Sequence, residues 1–287
     1  MNYRHHFHAG NAGDVLKHLV LVLLLQHLRR KPAPFCVLDT HAGRGLYDLA
    51  GAAATRTGEH LDGIGRLWGW REPPPGIAEY LEVVARVHGA AEGPLRHYPG
   101  SPTIARALLR PQDRLILCEL HPEEHAALRL QIGRDPQVAV HHMDGYQGIR
   151  AFLPPKERRG LVLVDPPFER GDELAAAVAA LVEGHRRFAG GIFAIWYPIK
   201  GRATIREFEA ALRGSGIPKV LAVELLPYPD DRPDRLGGSG MVIVGPPYRL
   251  DEALRGLLPA LAGRLDHRDA GEAPGRWRVE WLVGESG

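Results

Sequence analysis

The chain has 287 residues, 45% of them hydrophobic and 24% charged, with a formal net charge of +2. Those proportions describe a globular protein long enough for one large or two smaller domains. Two cysteines, Cys36 and Cys118, do not make the disulfide framework of a small secreted domain. The longest wholly apolar run, Leu19–Leu25, falls well short of the ~20 residues that span a bilayer, and Met1–Gly10 is polar and histidine-rich. The expectation is a cytoplasmic protein with no membrane contact and no obligatory protein partner.

Val15, Leu16, Leu19, Val20 and Leu23 recur at helical spacing, so a helix precedes the first strand, with Asp14 as its expected cap and Pro32 as its stop. Short apolar runs follow at Phe35–Leu38, Leu115–Cys118, Val138–Val140, Leu161–Val164, Ile192–Trp196, Val220–Leu225 and Met241–Val244. Amphipathic stretches such as Glu173–Phe188 and Ala203–Leu212 lie between most of them. The reading is an α/β, doubly wound, mostly parallel seven-stranded sheet with helices on both faces. Trp277–Val283 is a further candidate for an edge strand. More than seventy residues separate the first two strands; within them Thr57–Trp70 and Ile77–His88 read as helices divided by Pro73-Pro74-Pro75. Residues 49–98 are therefore expected to form a small helical insertion, with 1–48 and 99–287 making the main domain.

In open parallel sheets ligands bind beyond the carboxyl ends of the strands. Here each of the first four strands is followed by an acid: Asp39, Glu119, Asp144 and Asp165. Four carboxylates on one rim are costly unless hydrogen-bond donors or cations meet them. The glycine turn Asp39-Thr40-His41-Ala42-Gly43-Arg44-Gly45 allows a ligand close to the backbone. A dinucleotide turn would want glycine or alanine at Asp48, whose charge repels a pyrophosphate. An acid before the turn suits a cofactor with a positive charge and an amino-acid moiety, as in S-adenosylmethionine. Glu119 is placed to accept from ribose hydroxyls, and Asp144, with Gly145 behind it, from the adenine amine. Either acid alone is an ordinary turn former; their joint position argues for a ligand.

The most informative segment is Leu161-Val162-Leu163-Val164-Asp165-Pro166-Pro167-Phe168. Two prolines remove amide donors and stiffen the chain, which leaves the Asp165 carboxylate and a neighbouring carbonyl as fixed acceptors for both hydrogens of an aromatic amine. Phe168 would stack on the base once it leaves its helix or loop. Gly245-Pro246-Pro247-Tyr248 has the prolines and the ring without the acid, and reads as a turn. His5, His6 and His8 match no closed zinc pattern, so no metal is expected; a basic, aromatic arm with Tyr3, Arg4 and Lys17 reaching over the substrate fits better. The triplets Arg29-Arg30-Lys31, Lys156 with Arg158-Arg159, and His185-Arg186-Arg187 suit a phosphate backbone, or are solvated helix ends.

Tyr3-Arg4-His5, Phe7-His8-Ala9-Gly10-Asn11, Asp14-Val15-Leu16-Lys17-His18, Leu38-Asp39-Thr40-His41-Ala42-Gly43, Tyr98-Pro99-Gly100-Ser101-Pro102 and Trp196-Tyr197-Pro198 resemble segments of the bacterial methyltransferases that form N6-methyladenine in 23S ribosomal RNA. The likeness covers nearly the whole chain. It implies a Rossmann-like class I methyltransferase fold, S-adenosylmethionine as cofactor and 23S ribosomal RNA as partner. Matched position by position, it implies cofactor contacts at His18, His41, Ser101, Glu119, Asp144, Gly145 and Asp165, catalysis by Asp165 with Pro166 and Phe168, and RNA contact at Tyr3. The family usually has tyrosine where this chain has Phe168, which keeps stacking and removes a hydroxyl; the phenylalanine form also occurs in guanine-N2 methyltransferases. A guanine-N2 or DNA-adenine target, or a noncatalytic RNA-binding or assembly role, are the alternatives.

Overall fold

The computed structural model describes residues 5–169, 171–228, 237–266 and 276–285. Helix α1 (Ala12–Arg29) starts at Asn11, whose side chain accepts from the Asp14 amide at 3.0 Å. The cap is thus Asn11 and not Asp14, which sits buried in the first turn. Strand β1 (Cys36–Asp39) runs to the glycine turn, and β2 (Leu46–Asp48) leaves it. Three helices follow, α2 (Ala52–Thr57), α3 (Ile64–Leu67) and α4 (Pro75–His88), then β3 (His97–Pro99) and α5 (Ser101–Leu108). The expected helix over Thr57–Trp70 is broken. Gly58 at φ +66° ends α2, and Gly63 packs so closely that a Cβ there would lie 2.0 Å from the Gly10 carbonyl oxygen. Pro75, at the first turn of α4, needs no amide partner and so starts that helix.

Strand–helix alternation then becomes regular: β4 (Arg114–Glu119), α6 (Pro122–Ile132), β5 (Val138–His142), α7 (Gly145–Phe152), β6 (Gly160–Val164), α8 (Glu173–Arg187), β7 (Ile192–Ile199), α9 (Arg202–Arg213) and β8 (Val220–Leu226). The chain closes with β9 (Gly238–Val244), α10 (Leu250–Leu265) and β10 (Arg276–Val283).

The main sheet has eight strands rather than seven, ordered β10-β8-β9-β7-β6-β1-β4-β5. All seven expected strands form, and Trp277–Val283 joins as the antiparallel edge beside β8. Strands β5, β4, β1, β6 and β7 are mutually parallel, while β9 runs antiparallel between β7 and β8. A two-stranded ladder, β2 with β3, clasps the exit of the glycine turn; its three-residue strands carry too little apolar pattern to be read from sequence.

Alternate residues of the central strands feed two cores. Val37, Leu115, Leu117, Leu161 and Leu163 join α1, α4, α5 and α10 on one face, whereas Leu38, Cys118, Val162 and Val164 join α7, α8 and α9 on the other. Burial on both faces explains why these strands read as unbroken apolar runs instead of alternating ones. Ile64, Leu67, Tyr80 and Val84, from the segment between β2 and β3, lie in the same core as α1. No helix among the described residues is long and apolar enough to cross a membrane.

Candidate active site

The carboxyl ends of β1, β4 and β6 open into a cavity of about 880 Å³, within the usual size range of small-molecule sites. The turn after β1 forms one wall. Gly43 and Gly45 hold φ of +63° and +83°, conformations that favour glycine. The Glu119 carboxylate braces this turn: Oε2 accepts from the Gly43 amide and Oε1 from the His121 amide, both at 2.7 Å. Burial pushes Glu119 above its ordinary carboxylate value, and those two amides pull the other way. Asp39 is 1% exposed; its Oδ1 accepts from the His41 amide at 3.3 Å, and the Ser101 hydroxyl also acts on its carboxyl, although Oδ2 has no geometric hydrogen bond among the described residues. Burial drives the Asp39 carboxyl up to about 7.

Helix α1 supplies the second wall. Asp14, Lys17 and His18 stand at spacings of three and four, so they share one helix face, and all are buried. The Lys17 ammonium lies 2.8 Å from Asp14 Oδ1 and 2.5 Å from Asp165 Oδ2. Asp14 Oδ2 accepts from the Gly10 amide and contacts His5 Nε2, both at 2.9 Å. Burial pulls the Lys17 ammonium down, yet its two carboxylates hold it well above the ordinary lysine value. Burial likewise opposes the Asp14 charge, and His5 and Lys17 outweigh it, so that carboxyl is held far below its usual range. Burial takes His18 down to about 3, so its ring is neutral near pH 7. His18 Nδ1 contacts the Tyr98 hydroxyl at 2.7 Å, which in turn lies 2.9 Å from the Tyr80 hydroxyl, while His18 Nε2 has no partner among the described residues. His41 is also taken down by burial, to about 4, and its Nδ1 contacts Thr40 Oγ1 at 2.8 Å.

The third wall is aromatic. Phe168 holds φ +49°, strained backbone that costs roughly 1–2 kcal/mol for a non-glycine residue. Its ring meets Trp196 of β7 edge-on, with centroids 5.6 Å apart. The Trp196 indole N–H is buried without a partner among the described residues. Pro166, Pro198 and Ser239 complete this corner.

The fold brings Lys17, His18, His41, Ser101, Glu119, Asp165, Pro166 and Phe168 to the one cavity. Asp144 and Gly145 stand beside it: Asp144 caps α7 through the Gln147 amide at 2.9 Å, and a Cβ on Gly145 would fall 2.0 Å from the Thr40 carbonyl oxygen. Tyr3 and Arg4 lie outside the described residues. Asp14 was not foreseen as part of the site, although an acid and a lysine on a helix otherwise lined with leucine and valine were a visible signal. Cys36 and Cys118 are buried free thiols on adjacent strands, each pushed by burial up to about 12. Among the described residues no group of three or more His, Cys, Asp or Glu side chains is placed to hold a metal.

A family model described as "Ribosomal RNA large subunit methyltransferase D, RlmJ" matches residues 32–283. The chain belongs to this family. Two relatives named Ribosomal RNA large subunit methyltransferase J agree over the full length: the Escherichia coli protein is 44% identical over 285 residues, covering 99% of this chain and 100% of the relative. The Haemophilus influenzae protein is 44% identical over 286 residues, with the same coverage. A crystal structure of Legionella pneumophila protein LPL1258 superposes with a TM-score of 0.85 at 34% identity, covering 96% of this chain and 98% of that one. The family match thus takes in the glycine turn, the acids at the strand ends and the Asp165–Phe168 segment, while α1, with Lys17 and His18, falls within the two full-length relatives' alignments.

Proposed function

We infer that this chain transfers a methyl group from S-adenosylmethionine to the exocyclic N6 of an adenine in 23S ribosomal RNA. The observation that carries the reading is the Asp165 carboxylate held by buried Lys17 beside the paired rings of Phe168 and Trp196. The cavity suits the cofactor chemically. Its acids, Asp14, Glu119 and Asp165 among them, favour a cationic ligand, and His18 Nε2, without a partner among the described residues, offers a polar group to one. Under this reading Glu119 takes the ribose hydroxyls, His18, His41 and Ser101 contact the amino-acid end, and Asp144 with Gly145 borders the adenine.

S-adenosylmethionine, when bound, supplies an electrophilic methyl on a cationic sulfur. Asp165 and a carbonyl of the Pro166-Pro167 pair accept the two hydrogens of the target amine. Lys17 occupies Asp165 Oδ2 and so leaves Oδ1 to the substrate. Those hydrogen bonds favour a pyramidal nitrogen whose lone pair points along the line of transfer. Phe168 and Trp196 hold the flipped base, each ring supplying a stacking or edge contact. Tyr3 and Arg4 are proposed to contact the RNA, residues 49–98 to act as a helical insertion that shares its core with α1 and borders the cavity through Thr57, Glu59 and Asp62, and the protein to work in the cytoplasm.

The test is methyl transfer from labelled S-adenosylmethionine to unmodified 23S ribosomal RNA, with nucleoside analysis of the product. N6-methyladenosine that disappears in Asp165→Ala, with cofactor binding retained, is the expected result. N2-methylguanosine would overturn the base assignment, and cofactor binding with no transfer to any RNA would overturn the catalytic reading.

A further inference from the structure

The basic triplets of the sequence take no part in the cavity, and two of them meet at the opposite edge of the sheet. Arg29-Arg30-Lys31 ends α1, and Lys156 with Arg158-Arg159 forms the loop that enters β6. Two arginines at this edge have a structural task. Arg159 donates to the carbonyls of Leu28 at 2.5 Å and Ala33 at 3.0 Å, and Arg110 donates to those of Lys31 at 2.7 Å and Ala33 at 3.0 Å. They satisfy open carbonyls at the end of α1 and just beyond it.

The other five, Arg29, Arg30, Lys31, Lys156 and Arg158, are exposed, and none has an ion-pair partner among the described residues. Acids nearby are already engaged. Asp113 takes Arg110 and the Phe35 amide, and Glu157 stands 4.0 Å from Arg114, a further cation of the same edge. Neighbouring positive charge adds to burial here: burial and then Arg110 lower the Arg159 guanidinium, and burial followed by Arg30, Arg159 and Lys31 lowers His27. Arg158 also holds φ +53°, a backbone state that residues other than glycine rarely adopt. A chain of net charge +2 has no compositional need to gather unpaired cations this way. None of the exposed large apolar side chains falls in these segments, so the surface lacks what a protein interface core or a membrane-inserting face would use.

We propose that this edge is a second RNA-binding surface, which grips the phosphate backbone of a helix of folded ribosomal RNA other than the one that offers the target base. Strands β1, β4 and β6 separate it from the cavity by four to six residues, on the order of 15–20 Å at ~3.3 Å per residue, and it faces the other way. Nucleotides around the flipped base therefore do not lie against it. Guanidinium forks on short exposed segments suit phosphate oxygens without reading bases. The inference rests on the proposed function only for the identity of the polyanion.

The test compares wild type with Arg30→Gln/Lys31→Gln/Arg158→Gln, three exposed positions outside the cavity. Binding is measured without cofactor, across a salt series, to whole 23S ribosomal RNA and to a short hairpin carrying the target base. The variant should lose about tenfold or more in affinity for the whole RNA, with a salt dependence shallower by up to about three in log–log slope. Its hairpin affinity, cofactor affinity and melting temperature should stay at wild-type values. Unchanged binding to whole RNA, or an equal loss on both RNAs, overturns the proposal, as does a loss seen only on vesicles containing phosphatidylserine. If the variant shows the expected loss but no RNA is methylated by the wild type, the catalytic reading fails and this one stands.

Discussion

Asp39→Asn should stabilise the ligand-free protein in alkaline solution while weakening its hold on S-adenosylmethionine. Burial, reinforced by the like charge of Asp165, pushes the Asp39 carboxyl from 3.8 to about 7, with Ser101 and Lys17 pulling the other way. A folded-state value above the unfolded one means that the carboxyl's contribution is intact below about pH 4 and is lost as pH rises through about 7. The gap of about three pH units, at ~1.4 kcal/mol each, sets a cost of up to ~4 kcal/mol for the ionised form. Asparagine has the same shape and cannot ionise. At pH 8.5 the variant's melting temperature should therefore exceed the wild type's by roughly 5–10 °C, and the difference should shrink as pH falls below 7 and close only near pH 4. A cation in the neighbouring cavity favours ionised Asp39, so wild-type cofactor affinity should climb by up to about tenfold per pH unit below 7 and then level off. The variant's affinity profile should lack that climb. Thermal melts from pH 4 to 8.5 and titration calorimetry from pH 5 to 8.5 read the two effects. Coincident melting curves at pH 8.5, together with parallel affinity profiles, would refute the assignment of a buried, ligand-responsive carboxyl.

Lys17→Met leaves Asp14 and Asp165 facing one another without their cation, and should cost about 3–5 kcal/mol in denaturant unfolding, part of it restored by adding Asp14→Asn; an unchanged midpoint would show that the pair contributes nothing. Phe168→Tyr keeps the ring and should hold kcat/KM for RNA within a few-fold, whereas Phe168→Ala should lose about 10- to 100-fold, equivalent to 1–3 kcal/mol of stacking. Equal kinetics for the two variants would remove the ring from base recognition. Gly145→Ala places a methyl 2.0 Å from the Thr40 carbonyl oxygen, a backbone atom with little room to move, and should lower the melting temperature by several degrees; a wild-type melt would mean that α7 shifts freely.

Much of the frame was legible from local pattern. Strands β1, β4 and β6 are covered on both faces, so they appear as unbroken apolar runs, and the residue that ends such a run stands on the ligand-binding rim whatever the strand order is. Asp39, Glu119 and Asp165 followed from that rule, and Pro166-Pro167 singled out Asp165 as the proposed catalytic acceptor. Short elements were less legible. The three-residue strands β2 and β3 carry no periodicity, and the stretch from Thr57 to Trp70 has apolar spacing that suits a helix although its glycines break it.

Tertiary structure alone decided the partnerships. An aspartate and a lysine three residues apart on a helix form an ordinary surface pair, yet β6 lies beside β1 beneath α1, and Lys17 thereby meets Asp165 from 148 residues away. The same packing sets Arg159 against the end of α1 and so joins two basic segments that sequence shows only as separate solvated ends. Hydrophobic pattern records whether a residue is buried and on which face. Strand order decides who its neighbours are, and the free energy of a buried charge depends on those neighbours.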